Sequence, residues 1–233
     1  MPEDFALMFP TTVPSSNGPP KVAYTLRAGV IFSSIGWTLG SKIGYSLHDI
    51  HHTTGPVPVP HYATKMSAAM DRYFSRSLLP PKPTQRGSWS FEFGKPLFIL
   101  PDNKDHDAKR SVQDPRLKLE DVNLRVDWQT LRRLPVSGAV CFNFKAVFTE
   151  LAQFRGEKGV PGLVGKVLRE GDQEILTYKG IWHVEHLIIP AMERWDKEQR
   201  ESGVVDTEWD IKTLKENPFY EGWEERWRGQ QGF

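Results

Sequence analysis

Apolar and polar residues alternate with a period of two along several stretches of the chain. At 88–93, Trp89, Phe91 and Phe93 alternate with Ser88, Ser90 and Glu92. At 123–134, Leu124, Val126 and Trp128 alternate with Arg125, Asp127 and Gln129. This spacing predicts strands with one buried face. Residues 139–144 are apolar on both faces, which predicts a central strand. Residues 22–32 alternate loosely and predict a hairpin with arms near 24–26 and 30–32 and Gly29 close to its turn.

A helical period appears elsewhere. Met66, Met70, Tyr73 and Phe74 share one stripe of a helix predicted over 62–79, and Pro80 and Pro81 end it. Leu39, Ile43 and Leu47 predict a helix over 38–47, with Thr38 as its cap and Lys42 facing outward. Further helices are predicted at 150–154, 162–169 and 181–200. Gly55, Pro56, Pro58 and Pro60 exclude regular structure after His52. The charged stretch 101–118 reads as an exposed, mobile insertion. Strands and helices mix irregularly, so the expected class is α+β, with a mainly antiparallel sheet and flanking helices. Residues 1–200 are expected to form the main domain. Residues 201–233, with Trp209, Phe219, Tyr220, Trp223 and Trp227, are expected to lie over it as an aromatic strap.

Composition adds limits. The 233 residues carry a formal net charge of +1, so no global field draws the chain to nucleic acid or an anionic membrane. Cys141 is the single cysteine, which rules out an intrachain disulfide, and its apolar neighbours suit packing. Neither a leader-like start nor an apolar run of membrane-spanning length is visible, so a cytoplasmic protein is expected. The phosphate loop, GxGxxG, HExxH, paired CxxC and GxSxG signatures are absent, which disfavours the chemistries they serve.

Candidate chemistry concentrates in three places. His48, His51, His52 and His61 fall within fourteen residues. They read as surface or capping histidines, as ligands of zinc or non-haem iron with a carboxylate, or as the source of one imidazole for a haem. Spacing does not choose among these. In the 123–134 strand, Arg125, Asp127 and Gln129 share one face, either exposed or forming the polar wall of a pocket. Arg132 and Arg133 at its end could add anion contacts. Arg86 and Trp89 flank Gly87 and Ser88 and could line a planar ligand.

These residues resemble a known family. The run LRVDWQTLRRLPVSGA at 124–139 is the most specific match. Around it, in family order, stand Glu3 to Met8, Ala28 to Ser34 with Trp37, Ser41 to Gly44, Ile50 and His51, Val59, Pro60 and Tyr62, Asp71 to Phe74, Arg86 to Trp89, and Tyr178, Lys179 and Gly180. Over roughly residues 3–190 the chain resembles the haem-dependent oxidative N-demethylases, the HRQ family that includes the dimethylamine mono-oxygenase haem subunit. The resemblance implies a PAS-like fold and haem b bound through iron by His51, with His52 as the alternative ligand. It implies Arg125 and Gln129 as catalytic residues, and Arg86, Trp89 and Arg132 as cofactor contacts. It implies an oxygen-dependent oxidoreductase, a monooxygenase acting on a small amine or a secondary metabolite, with electrons from an external reductase. The chain starts close to the family's Glu-Asp element and its loop after His51 is expanded, so a shortened member is expected. The alternative activities are a non-catalytic relative that binds a partner without haem, and a His-ligated non-haem metal enzyme.

Overall fold

The structure is a computed structural model that describes residues 3–14, 18–52, 58–209, 211, 225, 228 and 229. Strand β1 (Asp4–Val13) is joined to β2 (Lys21–Val30) by a tight antiparallel register, with a bulge between Leu7 and Met8. The other long strands are β4 (Thr84–Phe93), β6 (Val122–Arg133) and β7 (Val140–Glu150). Together they form one five-stranded antiparallel sheet, in the order β2-β1-β7-β6-β4, with flanking helices. The class is α+β, and the doubly apolar strand takes the middle of the sheet as its pattern requires. A short parallel pair, β3 (Ser34–Ile35) and β5 (Phe98–Ile99), makes a second sheet.

The alternating burial of β1 puts Asp4, Ala6 and Met8 inside. Asp4 is a polar residue at a core position, 1% exposed, and its carboxylate is met by three donors. The Phe32 and Ser33 amides donate to it at 2.7 and 2.8 Å, and the Ser33 hydroxyl at 2.6 Å. A buried carboxylate is tolerable when its lone pairs are filled in this way.

Two expectations fail nearby. Residues 22–32 do not form a hairpin, because β2 runs unbroken to Val30 along β1. Gly29 serves close approach rather than a turn: a Cβ there would lie 2.7 Å from the Phe5 carbonyl oxygen. Residues 38–47 do not form a helix either. They make turns, and the chain leaves them through Gly44 at φ +88°, whose amide donates to the Leu26 carbonyl. Helix α1 (Leu47–His52) starts where that segment was expected to end. Ser46 and Asp49 exchange bonds across its first turn, the Asp49 amide donating to the Ser46 hydroxyl and the Ser46 amide to the Asp49 carboxylate, both at 3.2 Å.

The helix predicted over 62–79 is present with its stripe inward. It is wide-wound at both ends, Tyr62–Met66 and Tyr73–Ser77, and α-helical between as α2 (Ser67–Arg72). The stretch 101–118 is not a plain insertion. It contains α3 (Lys104–Arg110), which buries His106. After β7 come a 3₁₀ turn at Leu151–Gly156, α4 (Val160–Glu170), α5 (Gln173–Lys179) and α6 (Trp182–Glu201).

The chain packs as two compact units. The first comprises Met1–Ser88, Pro96–Lys104 and Val126–Ala146; the second comprises Trp89–Lys95, Asp105–Arg125 and Val147–Phe233. The first has a core of Met8, Tyr24, Leu26, Phe74, Leu78 and Leu131. The second has its own core of Phe91, Leu151, Val184, Ile188, Met192 and Trp195. In the second unit Val205 is buried, and Lys166 donates to the Ile211 carbonyl at 2.6 Å. Phe219, Tyr220, Trp223 and Trp227 of the expected strap lie outside the described residues.

Candidate functional site

Of the clustered histidines, His51 has the most constrained ring. It is half-buried near the end of α1, and its Nδ1 lies 2.7 Å from the Leu47 carbonyl oxygen. A carbonyl can only accept, so Nδ1 carries the proton and Nε2 presents its lone pair. The ring also stacks on Tyr62, with centroids 4.6 Å apart and planes 11° from parallel. Burial lowers the His51 pKa, opposed by the Leu47 bond and reinforced by the charges of Lys42 and Arg86. The imidazole is therefore held neutral, in one tautomer and one plane, as metal ligation needs.

The other histidines differ. His52 is exposed, with its ring 5.2 Å from that of His48. The Nδ1 of His48 lies 3.2 Å from the Ser67 hydroxyl. His61 adopts a left-handed backbone at φ 58°, just before the helical run. Among the described residues no group of three or more His, Cys, Asp or Glu side chains is placed to hold a metal ion. The donor set that a zinc or non-haem iron reading needs is thus not found there. A single imidazole facing a haem asks for no such set.

Within the same unit the structure brings together two more of the predicted residues. Arg86 Nε donates to Gln129 Oε1 at 2.6 Å. With its carbonyl so occupied, Gln129 offers its amide NH₂ to any further partner. The Arg86 guanidinium lies 5.7 Å from the Phe142 ring centroid. Arg86 is exposed by area, yet its head is crowded enough by protein for desolvation to lower its pKa, and it stays charged at any working pH.

Two residues here went unassigned in the sequence. Tyr62 is 2% exposed, and its buried hydroxyl meets no hydrogen-bond partner among the described residues. Burial, with a smaller push from Asp71, raises its pKa to about 12, so it remains a phenol. Lys42, expected to face outward, is half-buried instead. Its Nζ sits 4.4 Å from the Trp37 ring centroid, and desolvation lowers its pKa to about 8. The turn at 40–44 directs it there, and a helical reading of that segment concealed it.

The remaining predicted residues have contacts of their own. Arg132 is exposed on β6; its neighbour Arg133 bonds the Tyr24 hydroxyl at 2.6 Å and the Phe74 carbonyl. Arg125 belongs to the second unit, where it is 3% exposed and lies 5.9 Å from the Phe148 ring centroid. Trp89, also in the second unit, packs against that core, edge-on to Phe91, with Lys179 Nζ 5.4 Å from its ring.

The second unit holds a buried charge cluster that sequence reading missed. Glu92, 2% exposed, is ion-paired to Arg110 at 2.5 Å and accepts from the Ser90 hydroxyl at 3.1 Å. Arg110 also donates to the Gly180 carbonyl at 2.8 Å. Gly180 has φ +63°, and a Cβ there would collide with the guanidinium, so this glycine answers to both backbone and space. His183 is fully buried. Its Nδ1 donates to the Gly180 carbonyl at 3.0 Å, and its pKa falls to about 4, first through desolvation and then through Arg110. The Tyr178, Lys179, Gly180 motif is thereby explained as packing around an ion pair.

Compared with known families, the chain is matched by the model described as haem-dependent oxidative N-demethylase, alpha subunit-like, over residues 1–189.

Proposed function

Since the chain belongs to the haem-dependent oxidative N-demethylase, alpha subunit-like family, we propose that it is a haem-dependent oxidoreductase that removes a methyl group oxidatively from an amine, with His51 as the residue that would hold the haem iron. One observation carries the assignment of His51 over His52. Its Nδ1 is committed to the Leu47 carbonyl at 2.7 Å, which leaves Nε2 as the ligating nitrogen, whereas His52 is exposed. Ring position is further set by the stacked Tyr62. The residues present fit a haem b in this respect: a neutral imidazole with a second-sphere acceptor on its far nitrogen.

The bound haem would supply the oxygen-dependent oxidation, with electrons from an external reductase. The chain's own groups set the surroundings. Arg86 holds Gln129 by its carbonyl, which leaves the Gln129 amide NH₂ to donate to a substrate acceptor. Burial, with smaller pushes from the charges of Lys42 and Arg86, favours the neutral His51 imidazole. Arg125 is proposed as a further pocket residue on the family's pattern, and Trp89 and Arg132 as cofactor contacts on the same ground. The substrate is a small-molecule amine, and a cytoplasmic location is part of the proposal. Among the described residues no helix is long and apolar enough to cross a membrane.

The test is spectroscopic. Protein reconstituted with haem should develop a Soret band characteristic of imidazole ligation, His51→Ala should lose it, and His52→Ala should keep it. A wild-type protein without the band refutes the function, and loss of the band in His52→Ala alone refutes the ligand assignment.

A further inference from the structure

Lys42 has features that a surface lysine lacks. Its ammonium is half-buried over the face of Trp37, and no carboxylate partner is found for it among the described residues. A ring face attracts a cation but does not neutralise it. Desolvation without a counter-ion is unfavourable for an ammonium, and it lowers the Lys42 pKa to about 8 with no opposing acid nearby.

Arg86 repeats the pattern at the other end of a run of rings. Trp37 contacts Phe144 at 6.4 Å, Phe144 contacts Phe142 at 5.2 Å, and the Arg86 guanidinium sits 5.7 Å from Phe142. Its side-chain bond goes to the neutral Gln129. Lys42 and Arg86 both lie near enough to His51 to act on its protonation, and Tyr62 adds a buried hydroxyl whose bond is unmade. The neighbourhood of His51 thus holds two cations beside neutral partners and a donor that meets no acceptor among the described residues. An anion with acceptor oxygens would meet both needs.

We propose that Lys42 forms a carboxylate-binding subsite in the neighbourhood of His51, with Arg86 as a second cation at the far end of the ring run. It takes a carboxylate of a ligand that lies against the Trp37 face. Two sources share this chemistry: the acid side chains of a porphyrin, or the acid group of an N-methylated amino acid substrate. The inference rests on the reading of His51 as ligand-facing for its location alone.

The experiment compares haemin with haemin dimethyl ester, which lacks free carboxylates, in wild type, Lys42→Met, Lys42→Arg and His51→Ala. If the porphyrin supplies the carboxylate, wild type binds the diacid at least about tenfold tighter than the ester, Lys42→Met cuts that ratio to under about threefold, and Lys42→Arg restores most of it. If the substrate supplies it, wild type binds the two haemins alike. N-methylglycine then shifts the spectrum of the haem-loaded protein at a concentration at least about tenfold below that needed of dimethylamine, and Lys42→Met removes the difference. Wild type without either preference, or a Lys42→Met protein that keeps the full preference, overturns the proposal. His51→Ala separates the two readings, because it removes the Soret signature while leaving the diacid preference. Should wild type form no Soret band, metal-free protoporphyrin IX and its dimethyl ester, followed by porphyrin fluorescence, read the same ratio. A ratio near one there leaves the substrate source, and equal affinity for N-methylglycine and dimethylamine by calorimetry then overturns the proposal.

Discussion

Replacing Arg110 with Met should destabilise the protein by about 3 kcal/mol at neutral pH. The Glu92 carboxylate is 2% exposed and draws on two side chains, Arg110 at 2.5 Å and Ser90 at 3.1 Å. Without Arg110 a buried negative charge keeps a single neutral donor. Breaking a buried pair from one side costs about 3–5 kcal/mol. The lower end applies because the Arg110 side chain is 21% exposed and water can approach the gap. Urea unfolding measures the loss. Adding Glu92→Gln to Arg110→Met should recover a large part of the loss at pH 7, since no charge is then stranded. The same replacement removes a smaller cause of the low His183 pKa, which should rise somewhat from about 4 while desolvation keeps it below the ordinary value, as read by NMR. A loss under about 1 kcal/mol, or no recovery in the double variant, would refute the assignment of Glu92 as a carboxylate dependent on Arg110.

Three other outcomes are expected. Gly180→Ala, which places a methyl against the Arg110 guanidinium at φ +63°, should cost about 2–4 kcal/mol, with much less added when Arg110 is already Met; additive losses in urea melts would argue against a shared cause. His183, with its folded pKa at about 4 against 6.5 ordinarily, binds fewer protons folded than unfolded, so stability should fall by up to about 3 kcal/mol as pH drops from 6.5 to 4. His183→Gln should flatten that window, and an unchanged slope would show that other groups set it. Asp4→Ala leaves the Phe32 and Ser33 donors unmet and should cost about 3 kcal/mol by chemical denaturation, whereas a neutral result would mean that water replaces the carboxylate.

The strands were largely legible in the sequence because apolar residues recur along them with a period of two, although Asp4, Glu92, Asn123 and Arg125 take buried positions that this pattern does not announce. The run at 88–93 falls within β4, those at 123–134 and 139–144 match β6 and β7 to within a residue at one end, and Met70, Tyr73 and Phe74 of the helical stripe pack into the first core. What failed did so where conformation depends on contacts from elsewhere in the chain. Gly29 looked like a turn residue, yet the space at that position is taken by the Phe5 carbonyl. Leu39, Ile43 and Leu47 had helical spacing, but Gly44 at φ +88° and its bond to Leu26 broke the segment into turns. The predicted site was legible in part: Arg86 and Gln129 are bonded, and the ring of His51 is the anchored one. Lys42 and Arg110 were hidden because charged residues give no periodic signal when they are buried. Lys42 fell in a mispredicted helix, and Arg110 in a charged run that read as solvated surface.

The bond between Arg110 and Glu92 also bears on the order in which the second unit assembles. Helix α3 has seven residues, too few to persist in water without tertiary support. Glu92, for its part, cannot leave water as a carboxylate until a cation arrives with it. Neither event can run far ahead of the other along the folding route. The closing of the last strand over its acid and the first lasting turn of α3 should therefore be one kinetic step.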